Sequence, residues 1–515
     1  MQVLHTADYV IVAVYLLVVV AVCVRVTRKS PDADELFLAG RSLGAGVIGL
    51  SLFASNISST TLIGLPGAAW DTGISVANYE WMAALVLVFT AVFVAPVLIG
   101  RRITTVPELL EHRFDARLRK YLSGTSLLLS VLLDTAGSLY AGALVLMLFI
   151  PGLSLWPTCV GLAIFAGLYT AAGGLRAVAY TDVMQSLVLL IGSAVLFVLV
   201  FGQFDYSWAE VTAQVPADKL SLIRPLDDDA LPWLGTLLGL PILGFYYWTM
   251  NQYVCQRLLG ARDIGTAGKG ALIAAALKLL PLFLMVLPGA MAAALFTDLE
   301  RPDTVFPRLI AEFAPPGLAG LMVAGLMAAI MSSVDSALNS ASTLVISDFV
   351  QARRPNLDAR SLARLGRFTT LGMMLIAALW APAIDNFPGL FHYLQQGFAY
   401  VTAPLVAIFA LGMLSKRLTA NAALAGLVTG HTVSAAWFVA TQFDWLSVHF
   451  TIVAFILLAI TIAVALLWQA LLGGTPDAEQ LKSVDARHVA PAPPVVRTGA
   501  LVITAVTAVV VIAFW

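Results

Sequence analysis

Long apolar stretches separated by short polar loops run along nearly the whole chain. The hydrocarbon core of a bilayer is about 30 Å thick, so a helix needs roughly 20 apolar residues to cross it. About fourteen stretches meet that length. Their approximate bounds are 7–26, 43–69, 74–99, 121–150, 156–172, 180–201, 231–256, 270–296, 317–346, 366–384, 387–414, 418–442, 448–472 and 497–515. The pattern predicts an all-α, polytopic membrane protein, because a membrane β-barrel would show short alternating segments instead.

Composition supports lipid as the solvent of this chain. Of its 515 residues, 60% are hydrophobic and 11% are charged, whereas soluble domains carry about 25% charged residues. The net charge of −1 and the scattered basic residues give no sign of a nucleic-acid surface. The three cysteines lie far apart, so they predict neither a disulfide framework nor a metal site.

Loop charges predict the orientation of the spans. The loop at 100–120 is basic, with Arg101, Arg102, Arg113, Arg117, Arg119 and Lys120. The loop at 202–230 is acidic, with Asp205, Glu210, Asp218, Asp227, Asp228 and Asp229. A later basic loop carries Arg257, Arg262 and Lys269. Basic and acidic loops alternate along the chain, and basic loops stay in the cytoplasm. We therefore expect both termini to face away from the cytoplasm.

Two spans contain residues that interrupt a lipid-facing helix. The second span is rich in hydroxyl and amide side chains, namely Ser51, Ser55, Asn56, Ser58, Ser59, Thr60 and Thr61. The seventh contains Pro232, Gly235, Gly239, Pro241 and Gly244. Because the two lie five spans apart, they cross in opposite directions, as an inverted five-helix repeat with discontinuous helices at a binding site would require. The alternative is that small residues only allow close helix packing.

Five ionisable residues fall inside spans: Glu80, Asp134, Asp182, Lys278 and Asp335. Each costs roughly 2.5–3.5 kcal/mol at a helix centre, so each needs a partner or a function. We expect Lys278 to pair with Glu80 or with Asp134. Asp182 lies near the cytoplasmic start of its span, where a solvated helix end is an alternative.

The ninth span carries a polar face. Ser332, Asp335, Ser336 and Asn339 are spaced i, i+3, i+4 and i+7, which places their oxygens on one side of a helix. Such oxygens suit a hard cation such as sodium. Polar packing between helices is the alternative interpretation.

Several long strings resemble the sodium/solute symporter family, in particular its sodium/glucose cotransporter branch. They are ELFLAGRSL, LFASNISS, YEWMAALVLV, GLYTAAGGLRAVAYTDVMQS, NQYVCQRLLGARD, LKLLPLFLMVLPG and GLMAAIMSSVDSALNSASTLVISD, and together they extend from about 36 to 417. The resemblance implies a leucine-transporter-type fold, a 5+5 inverted repeat. Its halves would be 43–201 and 231–414, with an extra N-terminal helix in 1–30 and three C-terminal helices in 418–515.

The resemblance also implies cation ligands. The sodium site of the family matches the backbone carbonyls of Ala54, Ile57 and Ala329 and the side chains of Ser332 and Ser333. A possible second cation site matches Asp182, Asp335 and Ser336. Relatives usually carry Ser, Thr or Ala at the position of Asp335, so an extra carboxylate could strengthen this second site or hold a proton.

For the solute, the resemblance to sugar-transporting relatives is partial. Glu80, Tyr247, Lys278 and Gln395 match the sugar-contacting residues, whereas Thr61 replaces a Gln and Asp134 replaces an Asn. Relatives that carry sialic acid have an Arg near position 134, so an acid there argues against anionic solutes. The resemblance therefore implies a sugar or cyclic polyol. The alternative is a sodium- or proton-coupled symporter for a zwitterionic or cationic solute such as an amino acid.

Other function classes receive less support. The six histidines are scattered and no HExxH or DDxxD motif occurs, which argues against a membrane enzyme. No repeated filter typical of a channel is visible. A membrane nutrient sensor is the alternative from another function class. Sensors of this kind are expected to carry a signalling domain, and the sequence up to Trp515 shows none. We thus expect a symporter of the plasma membrane (a bacterial inner membrane) whose partners are sodium, a small solute and lipid.

Overall fold

A computed structural model describes residues 5–26, 37–57, 59–150, 152–228, 230–387, 389–484 and 489–514. These residues form helices joined by loops, and the β-structure among them is limited to two isolated bridges. Ten of the described helices are long and apolar enough to cross a membrane, or eleven when one bent pair is included. The all-α membrane architecture is confirmed, while the count of about fourteen spans stays a prediction.

The helices of the first half are α1 Thr6–Val26, α2 Ala45–Asn56, α3 Ser59–Thr72, α4 Ile74–Gly100, α5 Val106–Arg113, α6 Ala116–Phe149, α7 Leu155–Phe201 and α8 Trp208–Gln214. The second half contains α9 Trp233–Leu238, α10 Leu240–Phe245 with a π-helical continuation Tyr246–Met250, α11 Gln252–Leu259, α12 Ile264–Leu295, α13 Val305–Phe313, α14 Leu318–Gln351, α15 Ala359–Trp380 and α16 Leu390–Leu414. Four more follow: α17 Ala420–Gln442, α18 Phe450–Leu472, α19 Ala478–Val484 and α20 Pro494–Ala513.

The second predicted span is broken, as expected. Helix α2 ends at Asn56, and α3 continues at an angle of 53° to it. Ile57 leaves the helical conformation with φ −75° and ψ 62°, and the Thr61 hydroxyl donates to the Asn56 carbonyl across the break. Hydroxyl side chains compete for backbone groups in this way, and so favour a helix end over its continuation.

The seventh predicted span is also interrupted, but at a different residue from those expected. The backbone leaves the helix at Asn251, with φ −67° and ψ 116°. The Asn251 side chain then accepts a hydrogen bond of 3.0 Å from the backbone N–H of Tyr253 and so caps α11. The preceding turn is π-helical. The break therefore needs a capping amide rather than a proline or a glycine.

The glycines of the seventh span allow close packing. A Cβ atom at Gly235 would overlap the Thr451 hydroxyl, and one at Gly239 would overlap the Thr451 carbonyl oxygen. A Cβ atom at Gly244 would lie 3.2 Å from Val86. For these glycines the packing interpretation is right. Gly239 also separates α9 from α10, but its φ of −84° and ψ of −48° are helical, so the backbone leaves the helix only at Asn251.

Helix α7 joins the fifth and sixth predicted spans into 47 residues. Leu162 of α7 and Ile330 of α14 both lie beside Gly142 of α6, and Asp182 of α7 accepts a hydrogen bond from Ser332 of α14. Helix α7 therefore packs close to α14 at Asp182.

Helix α14 is anchored by the first helix of the chain. The Asp8 carboxylate is buried and accepts hydrogen bonds from the backbone N–H groups of Gly317 at 2.7 Å and Gly320 at 2.8 Å. A carboxylate at a helix N-terminus satisfies unpaired donors and interacts favourably with the helix dipole. This contact fixes the position of the helix that carries the predicted cation face.

We predict that Gly239→Ala lowers the thermal stability of the purified protein, because the added methyl group has no space beside Thr451. Overpacking of this kind costs ~1–3 kcal/mol. Gly124→Ala is the matched control, since a Cβ atom there meets no atom within 4 Å. Thermal unfolding in detergent would measure both variants, and equal melting temperatures would contradict the packing role of Gly239.

Candidate functional site

A central cavity of about 110 Å³ lies beside the break between α2 and α3. An ordered water needs about 10–15 Å³ by the same measure, so the cavity can hold several waters or a small polar solute. Its walls come from α2, α3, α4, α6, α10, α11 and α16. The lining residues are Asn56, Thr61, Tyr79, Glu80, Ala83, Asp134, Ser138, Leu240, Leu243, Gly244, Tyr247, Trp248, Tyr253, Phe391, Leu394, Gln395 and Phe398.

Five of the six residues predicted to contact the solute line this cavity. They are Thr61, Glu80, Asp134, Tyr247 and Gln395. The sixth, Lys278, is fully buried behind the wall and reaches the cavity through Glu80. Residues from five separate helices are thus brought together at one place.

Lys278 and Glu80 form a buried ion pair. The ammonium group donates to Glu80 Oε2, and its nitrogen lies 5.2 Å from the centroid of the Trp248 ring. Moving two charges out of water is costly, and close pairing offsets that cost. Of the two partners expected for Lys278, the structure shows Glu80 and not Asp134. The other carboxylate oxygen, Glu80 Oε1, is not bound to Lys278.

Asp134 projects from a π-helical turn, Ser130–Thr135. Its Oδ2 atom is buried and has no hydrogen-bond partner among the residues that the structure describes. The same is true of Asn56 Oδ1, which belongs to another residue of the cavity wall. Two residues of the cavity wall thus each keep one buried oxygen that accepts no hydrogen bond within the described ranges.

One aromatic pair separates the central cavity from an outer one. Tyr79 and Phe391 meet edge to face at 5.1 Å, and both also line a second cavity of about 490 Å³. At the other end, the Tyr247 ring lies 6.0 Å from Phe398 and 6.4 Å from Tyr253. Side-chain rotation at these rings would change access to the central cavity from either side.

The outer cavity is lined by polar loops, with Asp71, Arg224, Asp228 and Asp303 among its residues. Asp303 is buried and accepts from the backbone N–H of Leu390 at 3.3 Å, at the start of α16. Burial raises the pKa of Asp303 to about 6. This carboxylate holds the beginning of the helix that carries Phe391 and Gln395.

The predicted sodium ligands come from two elements that one hydrogen-bond network connects. Ala54 and Ile57 lie where α2 ends, and Ala329, Ser332 and Ser333 lie on α14. Asp182 accepts from Ser51 of α2 at 2.5 Å and from Ser332 of α14. The Ser333 hydroxyl is buried without a hydrogen-bond partner among the described residues, although the Tyr253 hydroxyl lies near it.

Arg257 lies at the predicted second cation site. Its Nη2 atom is 3.0 Å from Asp182 Oδ2 and donates to Ser336 Oγ at 2.6 Å. Its Nε atom donates to Ser51 Oγ at 2.7 Å. The interpretation of Arg257 as a loop charge misses this role. Asp182 is fully buried, so a solvated helix end is wrong for it.

The predicted polar face of α14 points into the protein. Ser332, Asp335, Ser336 and Asn339 are all buried, with at most 7% of each residue exposed. Every residue from Ala328 to Leu344 is buried, so burial does not distinguish this face from the rest of the helix. Burial alone does not separate a cation site from polar packing, and the assignment of Asp335 stays a prediction.

Sequence reasoning missed several residues of the cavity wall, above all the aromatic ones. Phe391, Leu394 and Phe398 of α16 line the cavity together with Gln395. Helical periodicity applied outward from Gln395 would have found Phe391 at i−4 and Phe398 at i+3, but not Leu394. Trp248 follows Tyr247 directly, and its contact with Lys278 had no signal in the sequence.

Residues 36–430 match the family model described as the sodium:solute symporter family. The chain belongs to this family. It is 36% identical over 472 residues to the sodium/mannose cotransporter SLC5A10 of Bos taurus, covering 84% of this chain and 79% of that one. It is 35% identical over 466 residues to sodium/myo-inositol cotransporter 2 of Oryctolagus cuniculus, covering 83% and 69%. Sodium/glucose cotransporter 4 of Danio rerio is 33% identical over 471 residues, covering 84% and 71%.

Solved structures show that this symporter has the leucine-transporter-type fold. A Na⁺-coupled sialic acid symporter in a substrate-bound outward-open state superposes with a TM-score of 0.79 at 23% identity, covering 92% of this chain and 99% of that one. Mhp1, a nucleobase-cation-symport-1 family transporter, superposes in a closed conformation with a TM-score of 0.60 at 15% identity, covering 89% and 99%. The symporter is a transporter and not an enzyme, as the sequence predicted.

We predict that Glu80→Gln and Lys278→Met each destabilise the symporter, because each leaves one buried charge unpaired. Such a loss costs about 3–5 kcal/mol. The double variant removes both charges and is expected to regain most of the stability without regaining transport. Thermal unfolding and solute uptake would be measured on all three. A double variant no more stable than the single ones would show that the pair is not the cause.

Proposed function

We propose that the protein is a sodium-coupled secondary active symporter that imports a small polar solute, a sugar or cyclic polyol, by alternating access. The central cavity beside the broken helix carries this proposal. Its polar wall combines carboxylate, amide and hydroxyl groups with aromatic rings. The similar cotransporters for mannose, myo-inositol and glucose support the same solute class.

The proposed solute site has two kinds of contact. Glu80 and Gln395 offer acceptors and donors for neighbouring hydroxyl groups, with Lys278 holding the Glu80 carboxylate in place. Thr61 adds a hydroxyl beside the break. Tyr247 offers an aromatic face, against which the apolar side of a ring can pack. We assign these residues, together with Asp134, to solute binding.

The proposed sodium site joins the two structural elements that the network connects. The backbone carbonyls of Ala54, Ile57 and Ala329 and the hydroxyls of Ser332 and Ser333 are hard oxygen ligands, which sodium prefers. An ion bound there favours the arrangement in which α2 and α14 are close. Sodium therefore promotes solute binding only if it binds more tightly to the conformation that binds solute than to the other conformations.

The energy of one sodium ion is sufficient for concentrative uptake. Moving one charge through 100 mV supplies about 2.3 kcal/mol, and a tenfold sodium gradient adds about 1.4 kcal/mol. The total of about 3.7 kcal/mol sustains a solute gradient of several hundredfold. We propose one sodium per cycle, because a second cation at Asp182, Asp335 and Ser336 requires Arg257 to leave Asp182 and Ser336.

We propose the corresponding membrane organisation. The two inverted repeats are 43–201 and 231–414, flanked by an N-terminal helix in 1–30 and three C-terminal helices in 418–515. Both termini lie outside the cytoplasm, as the loop charges indicate. The interrupted helices at Ile57 and Asn251 then occupy matching positions in the two repeats.

We predict that Ser333→Ala raises the sodium concentration for half-maximal uptake about tenfold, as expected for one lost ligand worth about 1–2 kcal/mol. Ser332→Ala combined with Ser333→Ala is expected to abolish sodium-stimulated uptake. Uptake in proteoliposomes over a range of sodium concentrations would measure both effects.

Ser340→Ala is the matched control for the sodium site. Its hydroxyl also lies buried on α14 without a hydrogen-bond partner among the described residues, but it is seven positions further along the helix. Sodium dependence should stay unchanged in this variant. If Ser333→Ala and Ser340→Ala behave alike, the sodium assignment of Ser333 is wrong.

A further inference from the structure

The central cavity carries one carboxylate that no cation of the protein neutralises within the described ranges. Glu80 is paired with Lys278, and Asp182 with Arg257. Asp134 is in none of the ion pairs that the described residues form. Since Glu80 and Lys278 cancel each other, Asp134 alone leaves the wall with a formal charge of −1.

The polar neighbours of Asp134 are mostly engaged elsewhere. The Tyr253 hydroxyl donates to the Ser55 carbonyl at 2.5 Å, and the Tyr246 hydroxyl lies 3.4 Å from the Ser126 hydroxyl. The Ser138 hydroxyl donates to the backbone carbonyl of Asp134, not to its carboxylate. The Asn251 side chain lies beside the carboxylate. Its oxygen caps α11, while its Nδ2 group, which has no other partner among the described residues, offers Asp134 a neutral donor. A carboxylate held in such surroundings gains greatly from a positively charged partner.

We propose that Asp134 selects a solute bearing an amino group on a hydroxylated ring, that is, an amino sugar or aminocyclitol. The inference rests on the proposed function and specifies the solute class of that site. An ammonium group has three donors and no acceptor, which suits a carboxylate that lines the cavity and belongs to no ion pair within the described ranges. The ring hydroxyls then face Glu80 and Gln395.

The same cavity disfavours the other charged classes. An amino acid or a sugar acid carries a carboxylate that needs a cationic partner. The side chains that line the described cavity include no Lys or Arg. The nearest ammonium, that of Lys278, is buried and held by Glu80. A neutral sugar can donate a hydroxyl to Asp134, but it leaves the charge in place.

Matched pairs of compounds test this selectivity. Each of several hexoses and cyclitols, for example D-glucose and myo-inositol, is compared with its amino-deoxy counterpart. Binding to the purified symporter in sodium would be measured by thermal shift and by competition. The amino compound of at least one pair should bind about tenfold more tightly than its parent, as expected for a hydrogen bond to a charged group.

Asp134→Asn removes the charge while keeping the shape of the side chain. It should reduce the affinity for the amino compound about tenfold or more and change that for the parent compound less than about threefold. Asp385→Asn is the control, because Asp385 is a partly exposed carboxylate that pairs with Arg301 away from the central cavity. This control should leave the preference for the amino compound intact. The thermal shift caused by sodium alone verifies that each variant is folded.

Four results would overturn this inference. If parent compounds bind as tightly as their amino counterparts, or if Asp134→Asn weakens both equally, Asp134 is an ordinary hydroxyl acceptor and the proposed function still stands. If Asp134→Asn changes sodium dependence and not solute preference, the residue belongs to the cation path. If no member of any pair binds while sodium still stabilises the protein, the proposed solute class is itself wrong, and this inference fails with it.

Discussion

The unwound backbone between α2 and α3 is the feature on which the rest of the structure depends. Lipid cannot hydrogen-bond a free carbonyl, so a break at membrane depth persists only where protein surrounds it. Here Ser51 and Ser55 are buried beside the break, and the Tyr253 hydroxyl donates to the Ser55 carbonyl. The second interrupted helix thus helps to satisfy the first. A cavity for a polar solute and a set of carbonyl oxygens for a cation both arise at this place.

Buried charges are placed according to the same constraint. In each of two ion pairs, Glu80–Lys278 and Asp182–Arg257, the opposite charges neutralise each other inside the bundle. Each pair also connects a helix of the first half of the chain with a helix of the second half. Both are fixed parts of the wall rather than free charges. Asp134 differs from them, because no ion pair within the described ranges includes it. A charge without a partner at a solute cavity indicates what the solute must bring with it.

The sequence predicted the membrane architecture from local patterns, whereas most residues of the proposed solute site came from the resemblance to the family. Apolar length gave the spans, and the hydroxyl cluster ending at Thr61 gave the first break. The second break was misplaced, since Gly235 and Gly239 are needed for contact with Thr451. That partner lies more than two hundred residues away, which no local pattern can reveal. Arg257 was assigned to a loop for the same reason: its partners, Asp182 and Ser336, come from distant helices.

The central claim is that sodium joins the break to α14, and hydrogen–deuterium exchange tests it without knowledge of the solute. Exchange would be followed in peptides from 45–72 and 318–351 of the purified protein, in sodium and in choline at equal ionic strength. Bound sodium should slow exchange in both segments and leave α17 and α18 unchanged. Equal exchange in the two salts, or protection confined to one of the two segments, would contradict a cation held between them.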